Sequence, residues 1–380
     1  EKQYAHKAAV MLDRVADVWP TFDYASQGLV YERYRYGGGT AGYVTYSIDS
    51  AYNVRKLMIA YDQVFEAARE DQELVRFLSS QARRYRLDNS KATFADIQRN
   101  IEDRILRHVL AHPEKIRTNY PGTDGALALA KTVLDWPANR EEVLKDIGTI
   151  VDRSTMVDGL TGEKGLTGYA TIAPRYLGQL LEQWSRSDPA FLPDLLKRHP
   201  KLRETYRFHY DTWIGFQYYP YSGDCGAFAI RTTDYMAADF HKGDTYNKYE
   251  TDPATSMYSF FWRLYRATGD RLYMQLMLRA NGGKLDGMPY DLYAEDPGQL
   301  ARDVRSATAR HEALPRIGNV DKKQWHLAIL RSSDPAESSA VWMDYDSVPS
   351  FGIKGHIHRD AMNLGLVAKG LDLLPEFGYP

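Results

Sequence analysis

The amino-acid sequence predicts a mainly α-helical protein that ends in an antiparallel β-sheet. Up to about residue 315, apolar side chains recur every three or four positions, which is the spacing of helices with one buried face. From about residue 320, short apolar runs are separated by turn residues, a pattern typical of strands. With 44% apolar and 26% charged residues, the 380-residue chain can bury a sizeable core.

Helices are clearest where an apolar face follows a start signal. Thr93 and Asp96 have the spacing of a helix cap, and the apolar face behind them ends at His112-Pro113. Because short polar turns join the helices and no fixed repeat is present, they predict hairpins stacked in a toroid or incomplete helical barrel. Further helices are predicted at 125–134, 141–151, 172–184, 256–267 and 271–278.

The last sixty residues predict the sheet. We expect a helical domain over residues 1–320 and the first strands of a sheet domain over residues 321–380. The sheet would stop at Pro380 with an apolar edge, which promotes aggregation unless it is covered. We therefore expect a truncated chain, or a sheet completed by another chain or in a homo-oligomer. Strands are predicted at 325–331, 340–343, 348–353, 364–368 and 371–374, the last two joined by a hairpin at Lys369-Gly370.

Charge and composition exclude several classes of protein. The 48 Lys and Arg balance 50 Asp and Glu, which argues against a dedicated nucleic-acid-binding protein but allows a local basic cleft. No stretch reaches the roughly 18 consecutive apolar residues of a membrane span. Cys225 is the single cysteine, so neither an internal disulfide nor a cysteine zinc cluster can form. No organic cofactor is expected.

One short segment carries a clear chemical pattern, Gly355-His356-Ile357-His358-Arg359-Asp360. Two histidines at i and i+2 of an extended segment point to the same face. Such a pair can present imidazole to a metal ion or to a substrate proton. The alternative is a pair of solvent-facing histidines on an edge strand.

The chain continues from Asn363 to Tyr379 in a way that resembles the heparinase II/III-like polysaccharide lyases. In that family a Gly-His-x-His-x-Asp element is followed by a hairpin and an Asp-x-Gly-Tyr element. The resemblance implies an incomplete (α/α) toroid followed by the start of an antiparallel β-sandwich. This agrees with the order of helices and strands found from the periodicity.

Two further elements of the family have counterparts in the helical part. Asn119 stands before a small-residue helix, as the family asparagine does, although Tyr120 occupies a position where histidine is common. The run from Asp158-Gly159 to Tyr169 resembles the element that ends in the family's catalytic tyrosine. Without the resemblance, Asn119 is equally a turn or cap residue and Tyr169 an ordinary helix start.

The resemblance implies β-elimination on a uronic acid within an acidic polysaccharide or oligosaccharide. Asn119 would hydrogen-bond the sugar carboxylate while negative charge develops, because an amide donates two N–H bonds. Tyr169 would act as the acid, or as acid and base, and His356 is the alternative base. Acting as a base requires positive charge near the phenol, for which Lys164, Arg175 and Arg231 are candidates.

Residues that contact the substrate are predicted mainly from a Tyr- and Gly-rich stretch at 216–228. Aromatic rings on a loop suit stacking on sugars, and the alternative is a well-packed connection between helices. The predicted substrate-binding residues are Tyr120, Glu163, His209, Tyr218, Tyr219, Tyr221, Arg231, His241 and Tyr246.

His358 and Glu376 resemble two ligands of a zinc site in the family, with Glu376 in place of the usual Asp. A third ligand would lie beyond Pro380. The resemblance therefore implies a zinc ion that is structural rather than catalytic, and a salt link between the two side chains is the alternative.

Two other functions remain open at this level. A glycoside hydrolase would need a carboxylate pair, for which Asp158, Glu163, Asp224 and Asp239 are available without a favoured pairing. A non-catalytic glycan-binding protein would keep the aromatic cleft alone. The resemblance and the missing initial Met imply a periplasmic or secreted protein.

Overall fold

A computed structural model describes residues 2–22, 50–225, 231–240, 257–285, 296–308, 314–332, 339–345 and 362–376. It confirms the predicted fold class, because the residues described up to 308 are mainly helical and an antiparallel sheet follows. None of the helices in these ranges combines the length and the hydropathy that crossing a bilayer requires. The chain divides into two compact units, Glu1–Ile147 and Gly148–Pro380.

The described residues of the first unit are mainly helical, and from Ser50 onward short connections join the helices. Helix α3 begins at a cap in which Asp71 accepts the Leu74 amide at 2.9 Å, and it ends in a left-handed residue, Arg86. The predicted capping box of Thr93 and Asp96 is present at the start of α4. The helices are α1 Lys2–Val18, α2 Ser50–Arg69, α3 Gln72–Tyr85, α4 Phe94–Ile101, α5 His108–Ala111, α6 Gly122–Asp135 and α7 Arg140–Ser154, with a π-helical turn Glu102–Arg107 between α4 and α5.

Helix α7 contains the division between the units, and the second unit continues with further helices. In α8, Gly178 lets α11 approach closely, because a Cβ there would lie 2.5 Å from a methyl carbon of Met257. The rings of Trp184 and Phe191 stack where α8 meets α9, with centroids 5.8 Å apart. The helices are α8 Ile172–Ser187, α9 Phe191–Arg198, α10 Leu202–Asp211, α11 Met257–Thr268, α12 Leu272–Ala280 and α13 Pro297–Thr308.

The sheet is antiparallel and follows the order β1-β2-β3-β4-β5. Leu327, Ile329 and Trp342 are buried on its inner face, whereas Leu330 and Val341 of the outer face are exposed. The register pairs Ile329 with Trp342 and Leu330 with Val341, so each face is continuous across strands. The strands are β1 Val320–Lys322, β2 Leu327–Arg331, β3 Ala340–Asp344, β4 Asn363–Ala368 and β5 Leu371–Asp372.

The predicted elements and the observed ones agree closely where both can be compared. The helix predicted at 172–184 is α8, and the hairpin at Lys369-Gly370 joins β4 to β5 with positive φ at both turn residues. The strand predicted at 348–353 lies outside the described residues. The change from helix to strand falls near residue 320, as expected, while the division into compact units falls between 147 and 148. The toroidal arrangement stays a prediction.

Candidate functional site

The predicted catalytic Tyr169 lies in a connection between α7 and α8, residues 158–171, which we call the Tyr169 segment. Its first residue, Asp158, has φ 52° and is tied to the β1–β2 hairpin. The Asp158 carboxylate accepts the amides of Gln324 at 2.7 Å and Trp325 at 3.0 Å. The Asp-Gly turn therefore fixes the start of the segment to the sheet.

A buried lysine makes a second attachment to the sheet. The Lys164 ammonium donates to the Trp325 carbonyl at 2.6 Å and to the Asp344 carboxylate at 3.0 Å. The same ammonium lies 4.3 Å from the centroid of the Trp325 ring, which favours a cation. Ser222 donates a further hydrogen bond to Asp344. Because Lys164 and Asp344 are both almost fully buried, neither can exchange its partner for water.

The middle of the segment packs against the chain at 222–225. The Gly165 amide donates to the Ser222 carbonyl at 2.7 Å, and Thr167 donates through Oγ1 to the Cys225 carbonyl at 2.9 Å. Gly165 has φ 96°, and a Cβ at this position would collide with the Asp224 carbonyl. Glycine is therefore required here both by the backbone conformation and by the close approach of the two chains.

His209 of α10 supports the segment from a third side. Its Nε2 donates to the Leu166 carbonyl at 3.1 Å, while its Nδ1 is buried without a hydrogen-bond partner. Burial, and next the nearby charge of Arg175, lower the pKa of His209 to about 3, so the ring is neutral at pH 7. With 0% exposure, His209 acts on the segment and presents no atom to a ligand in this conformation.

Tyr169 itself follows these attachments directly. It opens a 3-10 turn, Tyr169–Thr171, that leads into α8, and its side chain is half-buried. The segment is thus held by the sheet, by residues 222–225 and by α10 before it reaches this residue. The backbone that leads to the phenol is thus supported, and a phenol can both donate and accept a hydrogen bond.

The three cations proposed to assist Tyr169 differ in their partners. Lys164 is committed to Asp344, which compensates its charge. Arg231 is exposed and donates to Gln217. Arg175, in the first turn of α8, donates through Nε to the Met236 carbonyl at 2.9 Å. Since Arg175 also influences His209, its charge acts in the neighbourhood of the Tyr169 segment.

The predicted aromatic platform is largely interior. Tyr218 donates to the Gly370 carbonyl at 3.0 Å, and Tyr219 stacks on Trp213 with centroids 5.8 Å apart and an interplanar angle of 7°. Tyr219 and Tyr221 are 1% and 3% exposed. Burial also raises the pKa of Tyr219 above its usual range. These rings lie in the chain that follows α10, where they pack against one another and, through Tyr218, against the β4–β5 turn. Their contact with a substrate stays a prediction.

Asn119 and Tyr120 belong to the first unit. Asn119 is exposed in the turn before α6, and its backbone carbonyl accepts the Gly122 amide at 2.8 Å. Thr123, rather than Asn119, makes the side-chain contact of this turn, accepting the Thr118 amide at 2.9 Å. The Asn119 amide group is thus not used as the helix cap that was the alternative interpretation, and Tyr120 is half-buried beside it.

Several predicted site residues cannot be placed. His241, Tyr246, His356 and His358 lie outside the described residues. Of the two predicted zinc ligands, only Glu376 is described, and it is half-buried. Within the described ranges, no group of three or more His, Cys, Asp and Glu side chains is arranged to hold a metal ion. The structural zinc ion stays a prediction. Glu163, the remaining predicted residue, is half-buried in the Tyr169 segment.

The supporting network was not visible in the sequence. The sequence indicates Lys164 only as a source of positive charge, because its partner Asp344 stands 180 residues later in a strand with no motif. The one available signal was the Asp158-Gly159 pair, which is typical of a turn that needs positive φ.

The sequence matches no protein-family model, and a search of curated proteins gives no significant match.

Proposed function

We propose that this chain is a polysaccharide lyase that cleaves a uronic-acid-containing glycan by β-elimination. The observation that carries the proposal is the support of Tyr169. A half-buried phenol stands at the end of a segment fixed by Asp158, Lys164 and His209. The order of helices followed by an antiparallel sheet, which the lyase resemblance implies, gives independent support.

In this proposal the reaction depends on three residues. Asn119 donates hydrogen bonds to the sugar carboxylate, which lowers the barrier to removing the adjacent C5 proton. His356 takes that proton, and the C4–O bond breaks as the C4–C5 double bond forms. Tyr169 protonates the departing glycosidic oxygen, or performs both proton transfers if the proton and the leaving group lie on one face.

The support of the segment that carries the phenol matters for this chemistry. Proton transfer requires the donor oxygen to lie within about 2.6 to 3.2 Å of the leaving oxygen, so a mobile side chain would spend little time in a productive place. Asp158 and Lys164 attach the segment to the β1–β2 hairpin and to β3, and His209 binds the Leu166 carbonyl. These bonds reduce the freedom of the segment.

The hydrolase alternative is weaker for a specific reason. Asp158, one of its candidate carboxylates, already accepts two backbone amides of the β1–β2 hairpin. These two bonds commit the carboxylate to the hairpin, so it is not available to a glycosidic oxygen. Moving the carboxylate would also release the turn that begins the Tyr169 segment.

The test is a panel of uronate polysaccharides incubated with the full chain and followed by ultraviolet absorbance. A lyase forms a conjugated double bond that absorbs there, whereas a hydrolase forms reducing ends alone. We expect Tyr169→Phe to lower the initial rate by a factor of about 100 to 10,000, the usual contribution of a general acid or base.

The matched control removes a tyrosine hydroxyl elsewhere. Tyr85 is 62% exposed at the end of α3, so Tyr85→Phe should keep the wild-type rate. Reducing ends without new absorbance would indicate a hydrolase. Binding of a polysaccharide without either product would indicate a non-catalytic glycan-binding protein and would contradict the proposal.

A further inference from the structure

A groove of about 440 Å³ lies among helices α11, α12 and α13 of the second unit. Its size falls within the roughly 300 to 1,000 Å³ of ordinary small-molecule sites. The groove is open to solvent, so it can accept part of an extended chain. It is lined by Trp262, Tyr265, Arg266, Arg271, Asp303 and Ser306.

The aromatic side chains form one wall of the groove. The rings of Trp262 and Tyr265 lie 5.5 Å apart at 35°, and Trp262 is 8% exposed. Tyr265 is half-buried, so part of its ring faces solvent. Because Trp262 is almost fully buried, Tyr265 supplies most of the aromatic surface that is open to the C–H face of a sugar.

The polar side chains make the groove suited to an anion. Arg266 is exposed, with its guanidinium carbon 5.7 Å from the centroid of Trp262, and Arg271 is half-buried. Asp303 on the facing helix accepts a hydrogen bond from Gln299 at 2.7 Å. Two guanidinium groups and one carboxylate leave a positive excess, and a guanidinium can hold a carboxylate through two parallel bonds.

This groove is distinct from the Tyr169 segment. Arg263, next to Trp262, donates to the Glu182 carboxylate at 2.8 Å, which places this part of α11 beside the second half of α8. Tyr169 precedes the first turn of α8. Thirteen residues separate Tyr169 from Glu182, which corresponds to about 20 Å along the helix.

We propose that the groove binds an acidic sugar unit of a glycan chain, as an accessory site remote from Tyr169. The aromatic wall contacts the C–H face of the sugar, and Arg266 and Arg271 bind its carboxylate. Asp303 accepts hydrogen bonds from the sugar hydroxyl groups, and Ser306 accepts or donates them. The choice of a uronic acid among carboxylated ligands rests on the proposed function. Such a site would hold a polymer on the enzyme while another stretch reaches the Tyr169 segment.

The experiment measures binding by isothermal titration calorimetry with the full chain carrying Tyr169→Phe. The ligands are hexamers of galacturonic acid and of mannuronic acid, with a hexamer of glucose as the neutral probe. We expect Arg266→Gln with Arg271→Gln to weaken binding of one of the acidic hexamers by about tenfold or more, because charged hydrogen bonds are lost. Arg302→Gln is the matched control, since Arg302 is exposed on α13 and does not line the groove.

The outcomes separate this site from the proposed function. Any of four results would overturn the groove assignment. The double variant could bind an acidic hexamer as tightly as the parent chain, or Arg302→Gln could lose as much affinity as the double variant. The glucose hexamer could bind as tightly as the acidic hexamers, or neither acidic hexamer could bind. If the double variant binds normally but the wild-type chain still forms the lyase product, the groove assignment fails and the lyase proposal stands. If binding of an acidic hexamer requires Arg266 and Arg271 but no lyase product forms, the groove assignment stands and the lyase proposal fails.

Discussion

Each of the two units contains a buried lysine, and the two differ in how the charge is compensated. In the first unit, Lys91 contacts the carboxylates of both Asp13 and Asp17. In the second, Lys164 contacts the single carboxylate of Asp344. Lys91 and Lys164 are 2% and 4% exposed, so both ammonium groups depend on protein partners.

The difference lies in the balance of charge. Two carboxylates share Lys91, and Asn100 donates hydrogen bonds to Asp13 at 2.9 Å and to Asp17 at 3.0 Å. Burial is the main cause that raises the pKa of Asp13, and the neighbouring Asp17 charge adds to it. Lys164 has one carboxylate, one carbonyl and the face of Trp325.

The comparison teaches that the same residue type serves different purposes. The Lys91 cluster connects the chain before α4 to α1, and so it holds helices of one unit together. The Lys164 cluster connects the Tyr169 segment to β3, and so it holds a candidate site. Loss of the first should change stability alone, whereas loss of the second should also change the proposed reaction.

The largest effect is expected for Lys91→Met. This change leaves the buried Asp13 without a cation and leaves Asp17 only the exposed Arg14, at 3.8 Å. It should lower the free energy of unfolding by about 4 to 5 kcal/mol. Urea denaturation followed by circular dichroism measures it. Lys7→Met, at an exposed position of α1, is the control and should have little effect. A loss as small as that of the control would show that the cluster does not support the first unit.

A slightly smaller effect is expected for Lys164→Met, which should lower the free energy of unfolding by about 3 to 4 kcal/mol. In this variant one buried carboxylate, that of Asp344, loses its partner. Adding Asp344→Leu should restore part of the stability, because no unpaired charge then remains. Both variants should show reduced formation of the ultraviolet-absorbing product at temperatures where they remain folded.

Lys323→Met, at an exposed position of the β1–β2 hairpin, controls for the loss of a positive charge. A double variant no more stable than Lys164→Met would contradict the view that an unpaired carboxylate causes the loss. Full lyase activity in folded Lys164→Met would show that the Lys164 cluster does not support the proposed reaction.

The smallest effect is expected for Asp13→Asn. Its free energy of unfolding at pH 7 should lie within about 1 kcal/mol of the wild-type value, because Lys91 and Asp17 then form a balanced pair. The folded state raises the pKa of Asp13, so its favourable contribution is complete at low pH and is lost as pH rises through the folded pKa. Relative to wild type, Asp13→Asn should therefore become more stable as the pH rises above 3.8, the ordinary pKa of this carboxyl group.

The measurement is the unfolding free energy at several pH values, with the exposed Asp88→Asn as the control. A difference between Asp13→Asn and wild type that is constant with pH, or that moves in the opposite direction, would show that Asp13 titrates as an ordinary carboxyl group.

Much of the secondary structure could be predicted because its signals are local. The capping box at Thr93, the apolar face of α8 and the turn at Lys369-Gly370 each depend on residues within a few positions of one another. The candidate site was predicted only in part. Tyr169 and Asp158 were found through a motif, but the sequence did not indicate that Asp158 holds a hairpin 166 residues away.

The sequence by itself determined the helices, the antiparallel strands and the turns between them, since backbone preference and apolar periodicity act over short distances. The tertiary structure alone decided that Lys164 meets Asp344, that Tyr219 is stacked in the interior, and that Trp262 shares a groove with Asp303. The physical reason is that burial and ion pairing depend on which distant segments pack together, and no short stretch of the chain encodes its partner.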